Sequence, residues 1–401
     1  MPCAPYSTFG LHLPEGSFLH STAFGRPDGV VQRIAGVQAT ERWADLTERM
    51  EPLARAVDAL PAAALRQDLA VAVSAARFLP NFARTDVRQN LRLTRPFSDV
   101  LRDAGIKDGT FLKNWLDLLY FCLSGLPTEG TVTAEMAMIM GDFYEDGALM
   151  DCPVGGAQGV VDALVRGVLK RGGDIFLNSE VKEIVIEDGR AVGVRLKKGK
   201  NKIIRANKAV VSNMSVWDLF DKHIVDTIAF PQKYVAAKRA TPVGKSFMHL
   251  HIGFRATKEE LAKLQAHYMH IDDWERGVAA EDNAALLSIP SVHDPTLAPD
   301  GHAVLHIYTP ATEDYARWKH LDRHSPAYDA LKEERSRYFW RVLEQILPDI
   351  RDRAEVVRVG TPLTHRRFLN RWEGSYGPAI VALSTHSLVF VASTTTRRGH
   401  G

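Results

Sequence analysis

Apolar positions along this chain recur with two periods, and the periods predict its elements. Val160, Val161, Leu164, Val165, Val168 and Leu169 fall near the 3.6-residue spacing of one helix face. Gly155-Gly156, just after Pro153, opens that run, and Gly172-Gly173 stops it. Beyond the stop the pattern turns strand-like: 175–177, 181–187, an Asp188-Gly189 turn, 191–196, a Lys-Gly loop over 197–201, and a last apolar run from Ala209 to Asn213. Glycine pair, helix, glycine stop, hairpin and final strand predict an α+β unit over 151–213.

The same reading places the other elements. Leu11-His12-Leu13 and Phe18-Leu19-His20 flank Pro14-Glu15-Gly16-Ser17, a hairpin by its turn residues. Trp43, Leu46, Met50 and Leu53 lie about one turn apart in a helix ended by Pro61, and 65–79 reads as the next helix before Pro80. Segment 111–126 is apolar on more than one face, which predicts a core helix; the alternatives are the wall of an apolar channel or a patch dipping into a membrane surface. A Met-rich helix over 131–142 follows. Residues 247–254 alternate as a half-buried strand with His249 and His251 on one side. Two histidines two apart can bind metal, but no third ligand stands at a recognisable spacing, so a solvated strand face is the expectation and no metal is predicted. Strands over 268–274, 284–288, 303–309 and 356–360, and an amphipathic helix over 325–347 stopped by Pro348, complete the pattern.

Composition narrows the class. A chain of 401 residues accommodates two domains, or one with a large insertion, and 45% hydrophobic against 24% charged residues suffices for a substantial core. A formal charge of +2 without a basic run argues against a nucleic-acid partner. Cys3, Cys122 and Cys152 form no CxxC, which indicates neither a zinc site nor a disulfide framework and fits a reducing compartment. The longest apolar run, 115–126, carries Asp117 and is far shorter than the ~20 residues a bilayer needs. The first ten residues have the pattern of neither a signal nor a transit peptide.

Motifs for chemistry are few. HExxH, GxSxG, GxxxxGK[ST] and a strand-to-helix GxGxxG do not occur, and Gly155-Gly156-Ala157-Gln158-Gly159 has Val154 where that last fingerprint needs a glycine. A glycine loop at a helix start can offer amides to an anion, or can be a plain tight turn. As an ordered set, however, Pro153-Val154-Gly155-Gly156, the helix, Gly172-Gly173-Asp174-Ile175, Asn178-Ser179-Glu180-Val181, Asp188-Gly189-Arg190 and Val210-Val211-Ser212-Asn213 resembles the second FAD-contacting segment of the phytoene desaturase and carotenoid isomerase family, flavoproteins distantly similar to amine oxidases. Asp272-Asp273-Trp274, Leu287 to Ser291, Leu297 to Gly301, Leu305 to Tyr308, Gly360 to Phe368 and Gly374-Ser375-Tyr376-Gly377-Pro378 are similar to its carotenoid isomerase branch.

The resemblance implies a mixed α/β (α+β) fold: an incomplete glutathione-reductase-type FAD domain plus a substrate domain of helices and a mixed β-sheet. Residues 1–150 and 214–355 would form the substrate domain, 151–213 the partial FAD domain, 356–380 a return segment and 381–401 an off-pattern tail. It implies FAD as cofactor, with Gly155 and Gly156 on the flavin-facing loop, Val181 meeting the adenine end through its backbone, and Asn213 on the loop after the last FAD-domain strand. His365, Arg367 and Tyr376 are the catalytic candidates it suggests. The implied activity is FAD-dependent cis–trans isomerisation of a carotenoid or other long apolar substrate drawn from a membrane, in a plastid. The alternatives are a non-catalytic remnant that binds lipophiles or pairs with another subunit, and a desaturase-like oxidoreductase. Two departures accompany it: the βαβ unit bearing the family's glycine fingerprint lies upstream of where this chain starts, and no Gly-Asp motif follows Ile380. The expectation is weak FAD binding, open sheet edges and uncovered apolar faces within 151–213.

Overall fold

The computed structural model describes residues 2–58, 92–144, 147–199 and 202–379. The predicted helix over 65–79, the end of the 197–201 loop and the tail over 381–401 lie outside these. Twelve strands run through the described residues: β1 Cys3–Tyr6, β2 Phe9–Leu13, β3 Gly16–His20, β4 Met150–Pro153, β5 Val181–Glu187, β6 Arg190–Leu196, β7 Ile203–Arg205, β8 His249–Arg255, β9 His267–Ile271, β10 Ala284–Ser288, β11 His302–Tyr308 and β12 Ala354–Gly360. They are divided between two units, one made of Met1–Pro5, Asp151–His267 and Ala285–Ala379, the other of Tyr6–Met150 and Tyr268–Ala284.

In the second unit β2 and β3 form the hairpin read from the turn residues, with Phe9 opposite His20 and Leu13 opposite Gly16. β9 lies parallel to β2 on its other side. Gly10 is required there, because a Cβ would stand 2.2 Å from the Tyr268 ring. Helix Phe111–Ser124 starts where the Thr110 hydroxyl accepts from the Lys113 amide and stops at Gly125, at φ 76°. Ten of its residues are buried, so the core reading holds over the channel or membrane readings. Even Lys113 is enclosed, its ammonium 2.5 Å from Asp117 and 2.6 Å from Glu129. Helix Val30–Asp58, kinked at Gly36, buries Trp43, Leu46, Met50 and Leu53, the predicted face. Helix Thr133–Tyr144 turns Met136 and Met140 inward.

Packing of these helices on the hairpin produces a cage around His20. Phe9 stacks on its ring at 4.2 Å and Trp115 at 5.5 Å, Phe24 lies at 5.0 Å, and the Tyr144 hydroxyl is 3.1 Å from Nε2. Burial alone pushes His20 down to about 3.

The first unit holds an antiparallel sheet in the order β12-β8-β11-β10. Alternation along β8 buries Leu250, Ile252 and Phe254 and leaves His249 and His251 on the opposite side. Helix Pro326–Ile346, begun at the Ser325 hydroxyl cap, packs against β8 and buries Phe339, Val342 and Leu343. Arg335 of that helix donates to Glu313 at 2.9 and 3.1 Å, and the same carboxylate accepts from Trp318 at 2.7 Å, all three groups being buried. A three-stranded ribbon, β5-β6-β7, seats Ile184 and Ile186 on Phe220, Val225 and Val235.

Two predicted strands in this unit are corrected. Segments 175–177 and 209–213 are irregular, and neither joins a ladder among the described residues. An apolar run becomes a strand only where a neighbour accepts its backbone hydrogen bonds; here the runs stand in solvent, with Val211 91% exposed. Helix Gly156–Lys170 forms as predicted but buries no residue, and Leu164 is 68% exposed. The expected uncovered apolar face is present.

Candidate functional site

The glycine loop is shaped by backbone geometry. Gly155 and Gly156 adopt φ 83° and 63°, conformations that exclude side chains, and Gly155 caps helix Gly156–Lys170 without any side-chain hydrogen bond from the capping residue itself. A Cβ on Gly159 would meet the Val154 carbonyl oxygen at 2.4 Å, so the third glycine lets the chain fold back under the helix start. The Gly155 amide donates to Asp294 Oδ2 at 2.7 Å. Asp294 also accepts from the Thr296 hydroxyl at 2.5 Å and its amide at 3.1 Å; these contacts, the Thr296 hydroxyl first, hold its acid below the ordinary carboxylate range. An anion of the chain itself therefore holds the amide of the capping residue, one position before the first amide of the helix.

Around the glycine pair the surface is open. A Cβ at Gly155 would find only Gly159 backbone at 3.7 Å, and one at Gly156 only the Leu297 side chain at 3.6 Å. Val181 is half-buried at the start of β5, opposite Leu196, and Asn213 is exposed. Open space beside Gly155 and Gly156 leaves the backbone there accessible to a flat ring or a sugar.

The catalytic candidates gather elsewhere in the same unit. His365, buried in helix Pro362–Leu369, stacks on Phe247 at 4.1 Å, and Tyr376 meets the edge of the same ring at 5.4 Å. The His365 ring is 4.6 Å from that of His249. His249 and His251 stand one above the other on β8, and the antiparallel register sets His306 of β11 opposite His251 and Tyr308 opposite His249. His306 stacks on both, at 4.7 and 4.4 Å, with its Nε2 in close contact with His249 Nδ1. Arg367 takes no part: it is exposed and lies over Phe368.

Burial dominates the electrostatics of this cluster. It lowers His306 to about 3 and His365 to about 4, and it lowers His249 and His251 as well. Neighbouring imidazoles reinforce the shift at His249 and His306. The rings are thus neutral at pH 7, each with a lone pair to offer and a resistance to taking up a proton. Nε2 of His249 and of His365 are buried without a hydrogen-bond partner. Phe247, His306 and Tyr308 escaped the sequence reading as site residues. Alternation showed which face each strand presents; only the register between two strands 50 residues apart shows that the faces coincide.

The chain belongs to the flavin-containing amine oxidoreductase family, whose pattern matches residues 14–399. Its mixed α/β fold matches that of putrescine oxidase bound to putrescine, with a TM-score of 0.57 at 12% identity over 95% of this chain and 72% of that one. In sequence it is of the carotenoid isomerase and desaturase kind. Prolycopene isomerase 2, chloroplastic, of an Oncidium hybrid cultivar is 32% identical over 274 residues, 68% of this chain and 45% of the relative. The chloroplastic prolycopene isomerase of Arabidopsis thaliana is also 32% identical over 274 residues, 68% of this chain and 44% of its own length. The chain spans less than half the length of these relatives. FAD is the cofactor of the family. Among the described residues no helix is long and apolar enough to cross a membrane.

Proposed function

We propose that this chain acts in the FAD-dependent cis–trans isomerisation of a carotenoid, of the prolycopene to all-trans-lycopene type, at the surface of a plastid membrane. The observation that carries this reading is the identity of 32% over 274 residues with the prolycopene isomerases. FAD in its reduced form would supply the transient electron density that lowers the order of a double bond and lets it rotate. Gly155 and Gly156 would let the cofactor approach their backbone, with Val181 and Asn213 at its other contacts. Phe247 and Tyr376 would present aromatic edges and faces to a polyene, a class of ligand that such surfaces accommodate. His365, neutral at pH 7 and with a free Nε2, would offer the substrate an uncharged hydrogen-bonding ring rather than a proton source.

A second reading is favoured by one observation, the stripe of Val161, Leu164 and Leu169 that helix Gly156–Lys170 holds in solvent. On this reading the chain pairs through that face with a further polypeptide segment carrying the phosphate-binding turn, and catalyses nothing alone. A visible spectrum of the purified chain separates the two: stoichiometric flavin bands after FAD addition support independent catalysis, and their absence supports pairing. Incubation with reduced FAD and poly-cis lycopene, followed by chromatography beside an active isomerase, tests the reaction. An unchanged isomer profile would sink the isomerase reading for this chain, and desaturated products would favour a desaturase.

A further inference from the structure

His249, His251 and His306 do something that the flavin reading neither uses nor explains. Residues i and i+2 of a strand share a face, and a directly opposite residue on an antiparallel neighbour lies within about 5.5 Å of one of them. β8 and β11 use this geometry to bring three imidazoles together, with their donor nitrogens all within 4.8 Å of one another. Alternation and register put all three on one face of the sheet, where the rings stack with planes 6°, 9° and 14° apart across the three pairs.

We propose that His249, His251 and His306 form a three-histidine site for a divalent transition-metal cation, zinc foremost, with the fourth position open to water. Zinc–nitrogen bonds of about 2.0–2.1 Å in a tetrahedron set the nitrogens about 3.3 Å apart, so ring rotations that part the closest pair and draw the others in by about 1.5 Å or less complete the site. Imidazole without thiolate or carboxylate suits zinc, copper, nickel or cobalt and disfavours magnesium and calcium. His249 Nδ1 and His306 Nε2 face each other in close contact, a pair of ring nitrogens that a cation set between them would bind together. His251 is exposed and leaves the mouth accessible to solvent. Arg358, opposite His251 on β12, is turned to the Val357 carbonyl. Three protein ligands and one open position are the arrangement of a Lewis-acid centre rather than of a closed structural one.

The test uses the tag-free full chain, stripped with chelator and titrated with zinc chloride by calorimetry, in four forms: unaltered, His306→Gln, His251→Gln and His302→Gln. His302 lies on the same strand but is bonded to Glu355, outside the cluster. One zinc per chain is expected in the unaltered protein and His302→Gln, with affinity falling more than about 100-fold in the two cluster variants, whose folding is checked by circular dichroism. Cobalt loading of the unaltered protein gives a readout independent of any variant: intense visible bands of a four-coordinate ion are expected. No saturable zinc uptake, undiminished uptake by His306→Gln and His251→Gln, an equal loss in His302→Gln, or the weak cobalt spectrum of a six-coordinate ion each overturns the proposal.

Discussion

Lowering the pH should destabilise the second unit through His20, by an amount the cage around it fixes. His20 is 2% exposed, and burial pushes its pKa to about 3 against 6.5 for the free side chain. A depressed histidine pKa means that the unfolded chain binds the proton first. The stability is therefore fully present above about pH 6.5 and is lost as the pH falls towards about 3, at up to about 1.4 kcal/mol per pH unit. Between about pH 7.5 and about pH 5 the loss from this residue integrates to about 2 kcal/mol. Other buried histidines, among them His267 and His306 in the first unit, act with the same sign. The measurement must accordingly be a difference, namely urea unfolding followed by tryptophan fluorescence for the unaltered protein and for His20→Phe at both pH values. Trp115 and Trp43 border the cage and report on it. Phenylalanine suits a site walled by Phe9, Phe24 and Trp115, and whatever it costs by losing the Tyr144 hydrogen bond is the same at both pH values. The unaltered protein should lose about 2 kcal/mol more than the variant on acidification. Equal losses in the two would refute the reasoning.

Two further perturbations follow from the first unit. Glu313→Gln removes the carboxylate charge that faces the buried Arg335 and should cost about 3 kcal/mol by chemical denaturation; a change under about 1 kcal/mol would mean that the charge of this pair adds little. Gly374→Ala places a Cβ 2.2 Å from the Pro362 carbonyl oxygen at a φ of 60°, and should cost about 1–3 kcal/mol, lowering the melting temperature without altering the unfolded chain's spectrum.

What the sequence made legible was local. The turn residues of 14–17 gave the hairpin, and the wrap-around apolar pattern of helix Phe111–Ser124 gave its burial, because each depends on spacing alone. Helix Gly156–Lys170 was read equally well, down to its uncovered face. The runs over 175–177 and 209–213 were not, since apolar residues state a preference for a strand and only a neighbouring strand satisfies it. The candidate site was legible in part. His249 and His251 were visible as a pair on one face, and His365 and Tyr376 by resemblance. Joining them required Phe247 as a shared packing partner and the pairing of β8 with β11, both tertiary facts. The cage of His20 was hidden for the same reason: five aromatic neighbours come from four separate stretches of chain.

Helix Gly156–Lys170 also has a biogenesis. A leucine- and valine-lined ridge in water is the kind of surface that holdase chaperones grip and that hydrophobic contacts seek first.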